Sequence, residues 1–208
     1  MTTSVSVVAA LIAGGEARRF QGTFKPLLEI NNKTLLARLI DALQTQVNEI
    51  VVNVNERLTL INKLGITCIN DSEAGLELQY AGPLLGVASC LSWLKSTRPQ
   101  SPWLITVPGD TLQLPENFVE KLFLERSTQQ LSYATCNGQH HYLAALWHTD
   151  VLDDLLNFIT SGNRAVKQFQ QQLGARPVAF DNEGISTKPY FFNINTPKDY
   201  EFAKEHYT

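Results

Sequence analysis

The sequence predicts an α/β fold: one domain of three layers, with a mainly parallel central sheet, helices on both faces and a late β-hairpin. Three observations lead there. Continuous apolar runs rich in β-branched residues alternate with stretches at helical spacing through the first half of the chain. Strand–helix–strand units of this length join parallel strands through crossover helices. Asn137-Gly138 lies between two later strand-like runs and is the strongest hairpin signal in the chain.

Each element follows from its own residues. "SVSVVAALI" (4–12) suits a strand buried on both faces. Leu35, Leu36, Leu39, Ile40 and Leu43 recur at helical spacing and predict an amphipathic helix over 34–45. "EIVVNVN" (49–55) is a second strand, and a short helix over 58–63 leads to "ITCIN" (66–70), a third. After a loop over 71–82, Pro83 opens a helix that runs to Leu94, proline being favoured at the first helical position. "WLITV" (103–107) is a fourth strand, stopped by Pro108-Gly109-Asp110.

The second half is looser. Helices are expected over 115–124, 151–160 and 165–173, and two strands within 131–148. Further strands are expected at 176–180 and 190–194. A last helix has Thr196 as N-cap and Pro197 as its first residue. No repeat, low-complexity tract or linker interrupts the chain, so residues 1–208 are read as one domain.

Composition narrows the partners. The 208 residues are 44% hydrophobic and 18% charged, with a net charge of −3. A general nucleic-acid surface usually needs a basic domain, so no nucleic-acid partner is expected and any cationic patch is local. Cys68, Cys90 and Cys136 lie far apart without zinc-ligand spacing, which predicts buried free thiols in a reducing, cytoplasmic setting. The N-terminal apolar run is too short for a membrane helix and no cation precedes it, so neither a signal peptide nor a membrane partner is expected.

In an open parallel sheet, ligands bind beyond the carboxyl ends of the strands, near the reversal of strand order. Strand one is followed by Gly14, Gly15, Arg18, Arg19 and Lys25. Strand two ends with Asn53 and Asn55, strand three is followed by Asp71 and strand four by Asp110. The last strand carries Asn193 and Asn195. Neither GxxxxGK[ST] nor GxGxxG occurs. Backbone N–H groups freed by the glycines, together with three cations, suit a polyphosphate; the same residues also suit a turn with a solvated face. Asp110 fits either a helix cap or a Mg²⁺ ligand, since Mg²⁺ is held by one or two carboxylates plus substrate phosphates. Asp71 fits a supporting role or a turn cap. His140, His141 and His148 match no standard metal site and read as exposed hairpin residues. No nucleophile elbow or Ser-His-Asp arrangement occurs.

At these residues the chain resembles the molybdenum cofactor guanylyltransferases, within the Rossmann-like nucleotidyltransferases. Five segments carry the likeness in order: "IAGGEARRFQGTFKPLLEI", "VVNVN", "INDSEAGLELQYAGPLLG", "VPGDTLQLP" and "FNINTPKDY". The resemblance implies transfer of GMP from GTP onto the phosphate of molybdopterin, with loss of pyrophosphate. It implies that Ile12, Ala13, Gly14 and Gly15 supply backbone around the nucleotide, and that Lys25 and Arg19 hold phosphates. Asn53 and Asp71 would lie on the nucleoside side, Asp110 would bind Mg²⁺, and Asn193 and Asn195 would lie near the acceptor or the metal. Residues 1–115 would form the nucleotide-binding half of a single nucleotidyltransferase domain and 116–208 the acceptor-side half. Exchange of the cofactor with other molybdenum-cofactor proteins is expected as well.

The chain departs from the family pattern at two places. Phe20-Gln21-Gly22-Thr23-Phe24-Lys25 stands where Met-Gly-Gly-x-Asp-Lys is usual, and His141-Tyr142-Leu143 stands where His-Pro-Thr is usual. Two other readings share the same residues: a related nucleotidyltransferase using CTP or another phosphate acceptor, and a nucleotide-binding module without turnover.

Overall fold

The computed structural model describes residues 6–13, 19, 20, 23–55, 61, 65–76, 82–181 and 189–207. Its main sheet has seven strands: β1 (Val7–Ile12), β6 (Glu49–Asn53), β7 (Thr67–Ile69), β8 (Trp103–Pro108), β9 (Leu131–Cys136), β10 (Gln139–His148) and β11 (Arg176–Ala179). They lie in the order β11-β9-β10-β8-β1-β6-β7. β10 runs antiparallel to both of its neighbours, and every other pairing in the sheet is parallel. The sheet is thus mainly parallel, as expected. Strand order grows from β1 through β6 to β7, then returns to the other side of β1 at β8. The crevice between the carboxyl ends of β1 and β8 is therefore the topological switch point.

Helices cover both faces. β1 is buried along its whole length: Val8, Ala10 and Ile12 pack into one hydrophobic cluster, Val7, Ala9 and Leu11 into another. The first cluster is closed by α2 (Pro83–Thr97) and α4 (Leu152–Thr160), with Phe169 from α5 (Val166–Gln172). The second is closed by α1 (Leu35–Leu43) and α3 (Phe118–Glu125). A third, smaller cluster seats α6 (Pro197–His206) through Ala203 and Tyr207 against Ile30, Leu35 and Leu112.

Local signals behave as their chemistry requires. Thr34 caps α1, its hydroxyl accepting from Ala37 N at 3.1 Å. Pro83 and Pro197 both open helices. Asn137 and Gly138 both have positive φ, 49° and 74°, the twist a two-residue hairpin needs.

Several elements differ from the sequence reading. Residues 190–194 form no strand: Phe191 has φ 60°, and the segment makes a single bridge, Asn193 to Thr111. It is held by backbone bonds on either side of that bridge, Leu112 N to Phe192 O at 2.8 Å and Ile194 N to Asp110 O at 3.1 Å. The second strand ends at Asn53 rather than 55, and the helix from Pro83 runs on to Thr97. The helix placed at 115–124 starts only at Phe118. The expected loop after residue 70 opens with one 3₁₀ turn, Asp71–Ala74. Two small hairpins escape the periodicity, β2 (Arg19–Phe20) with β3 (Thr23–Phe24) and β4 (Glu29–Ile30) with β5 (Lys33–Thr34). The helix placed at 58–63 lies outside the described residues except for Ile61, which is helical and buried.

Candidate active site

The switch point opens a cleft of about 290 Å³ lined by Ile12, Ala13, Lys25, Pro26, Pro83, Asp110, Asn193 and Asn195. β1 ends there. Ala13 N donates to Asn53 O at 2.9 Å and Gly109 N donates to Ile12 O at 3.0 Å, so the ends of three adjacent strands are tied together. Gly109 packs tightly here: a Cβ on it would lie 3.2 Å from both Ala13 Cβ and Pro26 Cγ.

Lys25 starts a single 3₁₀ turn, Lys25–Leu27, with Pro26 setting its φ. Lys25 is 7% exposed. Its Nζ donates to Asp110 Oδ2 at 3.2 Å and to Asn195 Oδ1 at 3.0 Å. A lysine this buried requires partners for its charge, and these two line the same cleft. Asn195 is held in turn by the N-terminus of α6: its N–H and that of Thr196 donate to Asp199 Oδ2, at 2.9 and 2.7 Å. Thr196 Oγ1 accepts from Asp199 N at 3.2 Å and completes a capping box. Burial acts to raise the Asp199 carboxyl pKa, but these bonds and the charge of Lys25 hold it below the ordinary range. Asn193 points its Oδ1 at the Thr111 hydroxyl, which donates at 2.8 Å.

The nucleoside-side pair is built differently. Asn53 is 0% exposed and does not line the cleft. Its Nδ2 donates to Ile69 O at 3.2 Å and to Asp71 Oδ1 at 2.8 Å. Both neighbours are acceptors, which fixes the amide orientation and leaves Oδ1 buried without a partner among the described residues. That oxygen presses on Gly86 of α2, where a Cβ would sit 2.2 Å away. Asn55 completes the clamp: Nδ2 donates to Asp71 Oδ2 at 2.6 Å, and Oδ1 accepts from Asp71 N at 2.9 Å. Asp71 is thus fixed by two carboxamides.

A second compartment of about 380 Å³ adjoins the first and shares Pro108, Leu143 and Asn193 with it. Its walls include His141, Tyr142, Lys167 and Phe191. The His141 and Phe191 rings lie 4.9 Å apart. Burial first, then neighbouring His140, push the His141 pKa down, so this imidazole is neutral at pH 7. Of the three histidines read as exposed, only His140 is. His141 is half-buried in this wall, and His148 is half-buried against Trp103 with ring centroids 4.6 Å apart.

A polar cleft thus lies at the switch point, next to an aromatic compartment. A model of the MobA-like NTP transferase domain matches residues 9–176. The chain belongs to this family.

Among its relatives, a molybdenum cofactor guanylyltransferase of Rhodopseudomonas palustris is 34% identical over 92% of this chain and 89% of its own. One of Yersinia pestis is 28% identical over 93% of each. A solved structure of molybdopterin-guanine dinucleotide biosynthesis protein A from Archaeoglobus fulgidus superposes with TM-score 0.69 at 20% identity, covering 96% of this chain and 97% of the other. The MobA-like family and the Rossmann-like fold expected from the sequence are thereby met.

Of the MobA-like site residues read from the sequence, Ile12, Ala13, Lys25, Asp110, Asn193 and Asn195 line one cleft. Asn53 and Asp71 pair with each other at the neighbouring strand ends. Gly14, Gly15 and Arg18 lie outside the described residues, and of Arg19 only the backbone, in its short strand, is described. Among the described residues, no group of three His, Cys, Asp or Glu side chains could hold a metal. All three cysteines are free. No described helix is long and apolar enough to cross a membrane.

The sequence reading missed the support. Asp199 had a signal, the T-P-x-D capping box. Asn55 was read from the sequence at the end of strand two; its clamp on Asp71 was not. Gly86 had no signal: its role rests on a side chain 33 positions earlier.

Proposed function

We propose that this chain transfers GMP from GTP onto the terminal phosphate of molybdopterin, releasing pyrophosphate. The observation that carries the reading is the meeting of Lys25 and Asp110, from distant parts of the chain, in the switch-point cleft. The cleft would take the triphosphate, and the adjoining aromatic compartment the pterin. A flat, hydrogen-bonding ring system suits walls formed by His141, Tyr142 and Phe191.

An oxygen of the acceptor phosphate attacks the α-phosphorus of GTP. The bond from that phosphorus to the α–β bridging oxygen breaks, and pyrophosphate leaves with the electron pair. The acceptor phosphate is largely ionised at neutral pH, so no general base is needed. Positioning and neutralisation of charge supply the rate. Lys25 turns from Asp110 and Asn195 toward the incoming phosphates. The backbone of Ile12 and Ala13, continued by Gly14 and Gly15, borders the nucleotide, with Arg19 as a second phosphate partner. Asn53 holds Asp71 in place for the nucleoside.

Asp110 fits a Mg²⁺ site: one partly exposed carboxylate, in a cleft also lined by Asn193 and Asn195, leaves room for substrate phosphates as the remaining ligands. Bound Mg²⁺ would offset the negative charge of the triphosphate. Free thiols suit a reducing cytoplasm, and a labile pterin suits direct exchange with other molybdenum-cofactor proteins.

Incubation with Mg²⁺, molybdopterin and either GTP or CTP tests the reading by mass spectrometry of the product. A guanine dinucleotide from GTP is expected. A cytosine dinucleotide formed in preference would overturn the guanine assignment.

A further inference from the structure

β10 is interrupted beside the second compartment. His141 pairs with Ala134 of β9, but the next pair is Ala145 with Tyr133. Tyr142, Leu143 and Ala144 therefore have no ladder partner on β9, and pairing with β8 likewise begins only at Ala145. These three residues line the aromatic compartment, and Leu143 also borders the cleft. Such an excursion leaves carbonyl groups without ladder bonds, and each orphan in a buried strand costs a hydrogen bond.

Two side chains supply the missing bonds. Gln170 Nε2, from α5, donates to Tyr142 O at 2.7 Å. The Thr106 hydroxyl, from β8, donates to Leu143 O at 2.7 Å and accepts from Trp147 Nε1 at 2.7 Å. Gln170 is 1% exposed and Thr106 is 0% exposed. Neither lines the compartment. Polar groups buried this deeply are kept for the bonds they make. The elements that carry them also belong to the site. Thr106 lies on β8, and Asp110 follows that strand four residues later; α5 begins with Val166 and Lys167 of the compartment wall.

We propose that Thr106 and Gln170 are positioning residues for the acceptor: they pin the 142–144 bulge and so set the shape of the compartment that aims the acceptor phosphate at the cleft. This rests on the reading that the second compartment takes the pterin. The bulge occupies the segment where this chain departs from the family's usual His-Pro-Thr, so the pins act on this chain's own Tyr142 and Leu143.

Steady-state kinetics of Thr106→Val, Thr106→Ser, Gln170→Leu and His141→Ala test it, with molybdopterin and GTP varied separately. Thr106→Val and Gln170→Leu should each raise the molybdopterin KM about tenfold, the scale of one buried hydrogen bond, while the GTP KM moves less than about twofold. Thr106→Ser, which keeps the hydroxyl, should restore the acceptor KM. A purely structural role would lower thermal stability and the active fraction without moving either KM, and that result overturns the proposal. If Thr106→Val does not fold, Gln170→Leu carries the test alone. If His141→Ala raises the acceptor KM while the Thr106 and Gln170 variants leave it unchanged, the proposal fails and the acceptor assignment stands. If none of the variants moves it, the compartment does not hold the acceptor and both fail.

Discussion

Lys25 Nζ lies 3.2 Å from Asp110 Oδ2, although 85 positions separate the two residues. The ammonium follows the first strand of the switch point and the carboxylate follows the second. Because Lys25 is almost fully buried, its charge is committed to this cleft and to whatever anion enters it.

Replacing either partner should therefore affect turnover far more than folding. Lys25→Ala should cost roughly 2–4 kcal/mol of transition-state stabilisation, the scale of one fixed donor in a water-poor site. That corresponds to a fall in kcat/KM of roughly 30- to 1000-fold. Far-ultraviolet circular dichroism should match the wild type. Retention of full kcat/KM by the variant would remove Lys25 from the reaction.

Gly86→Ala should damage the nucleoside side from a distance. The added methyl would fall 2.2 Å from Asn53 Oδ1, and Asn53 is walled in by Ile69 and Asp71. Overpacking of this kind costs about 1–3 kcal/mol, so thermal unfolding should shift down by several degrees. Displacing Asn53 also frees Asp71, so the GTP KM should rise in the folded variant. An unchanged melting temperature and GTP KM would show that Asn53 has room to move.

The α6 cap should make part of the stability acid-sensitive. The Asp199 carboxyl titrates below its ordinary range in the folded protein. A depressed folded pKa adds stability that is fully present above the unfolded value, near 3.9, and is lost as pH falls through the folded value. Asp199→Ala should thus cost about 1 kcal/mol at neutral pH, the usual scale of a cap, with the difference from wild type shrinking below about pH 4. Urea unfolding of both proteins between pH 3 and pH 7 measures this. A gap that stays constant across that range would refute the capping account. Because Asp199 holds the Asn195 N–H, the variant should also lose activity at neutral pH.

How legible all this was depends on the range of the forces involved. Thr196-Pro197 and Asn137-Gly138 announce a helix start and a hairpin because caps and turns are decided within four residues. β1 was legible because burial on both faces leaves an unbroken apolar run. The cleft residues were legible at one remove, since a parallel sheet gathers whatever follows its strands. The two short hairpins were not legible, because two-residue strands have no period to detect. The strand expected at 190–194 has the composition of one, yet Phe191 adopts positive φ to turn its ring into the core between Phe118 and Phe180. Thr106 and Gln170 look like polar interruptions of apolar patterns; only the bulge they hold explains them, and the carbonyls they bond are 37 and 28 positions away in sequence.

The central claim, guanylyl transfer at the Lys25–Asp110 cleft, is tested most directly by pyrophosphate release. The rate should be measured with GTP and with CTP, molybdopterin and Mg²⁺ present, for the wild type and for Asp110→Ala. The account predicts rapid release from GTP, little from CTP, and none above background in the folded Asp110→Ala variant. Preference for CTP, or normal turnover without the Asp110 carboxylate, would contradict it.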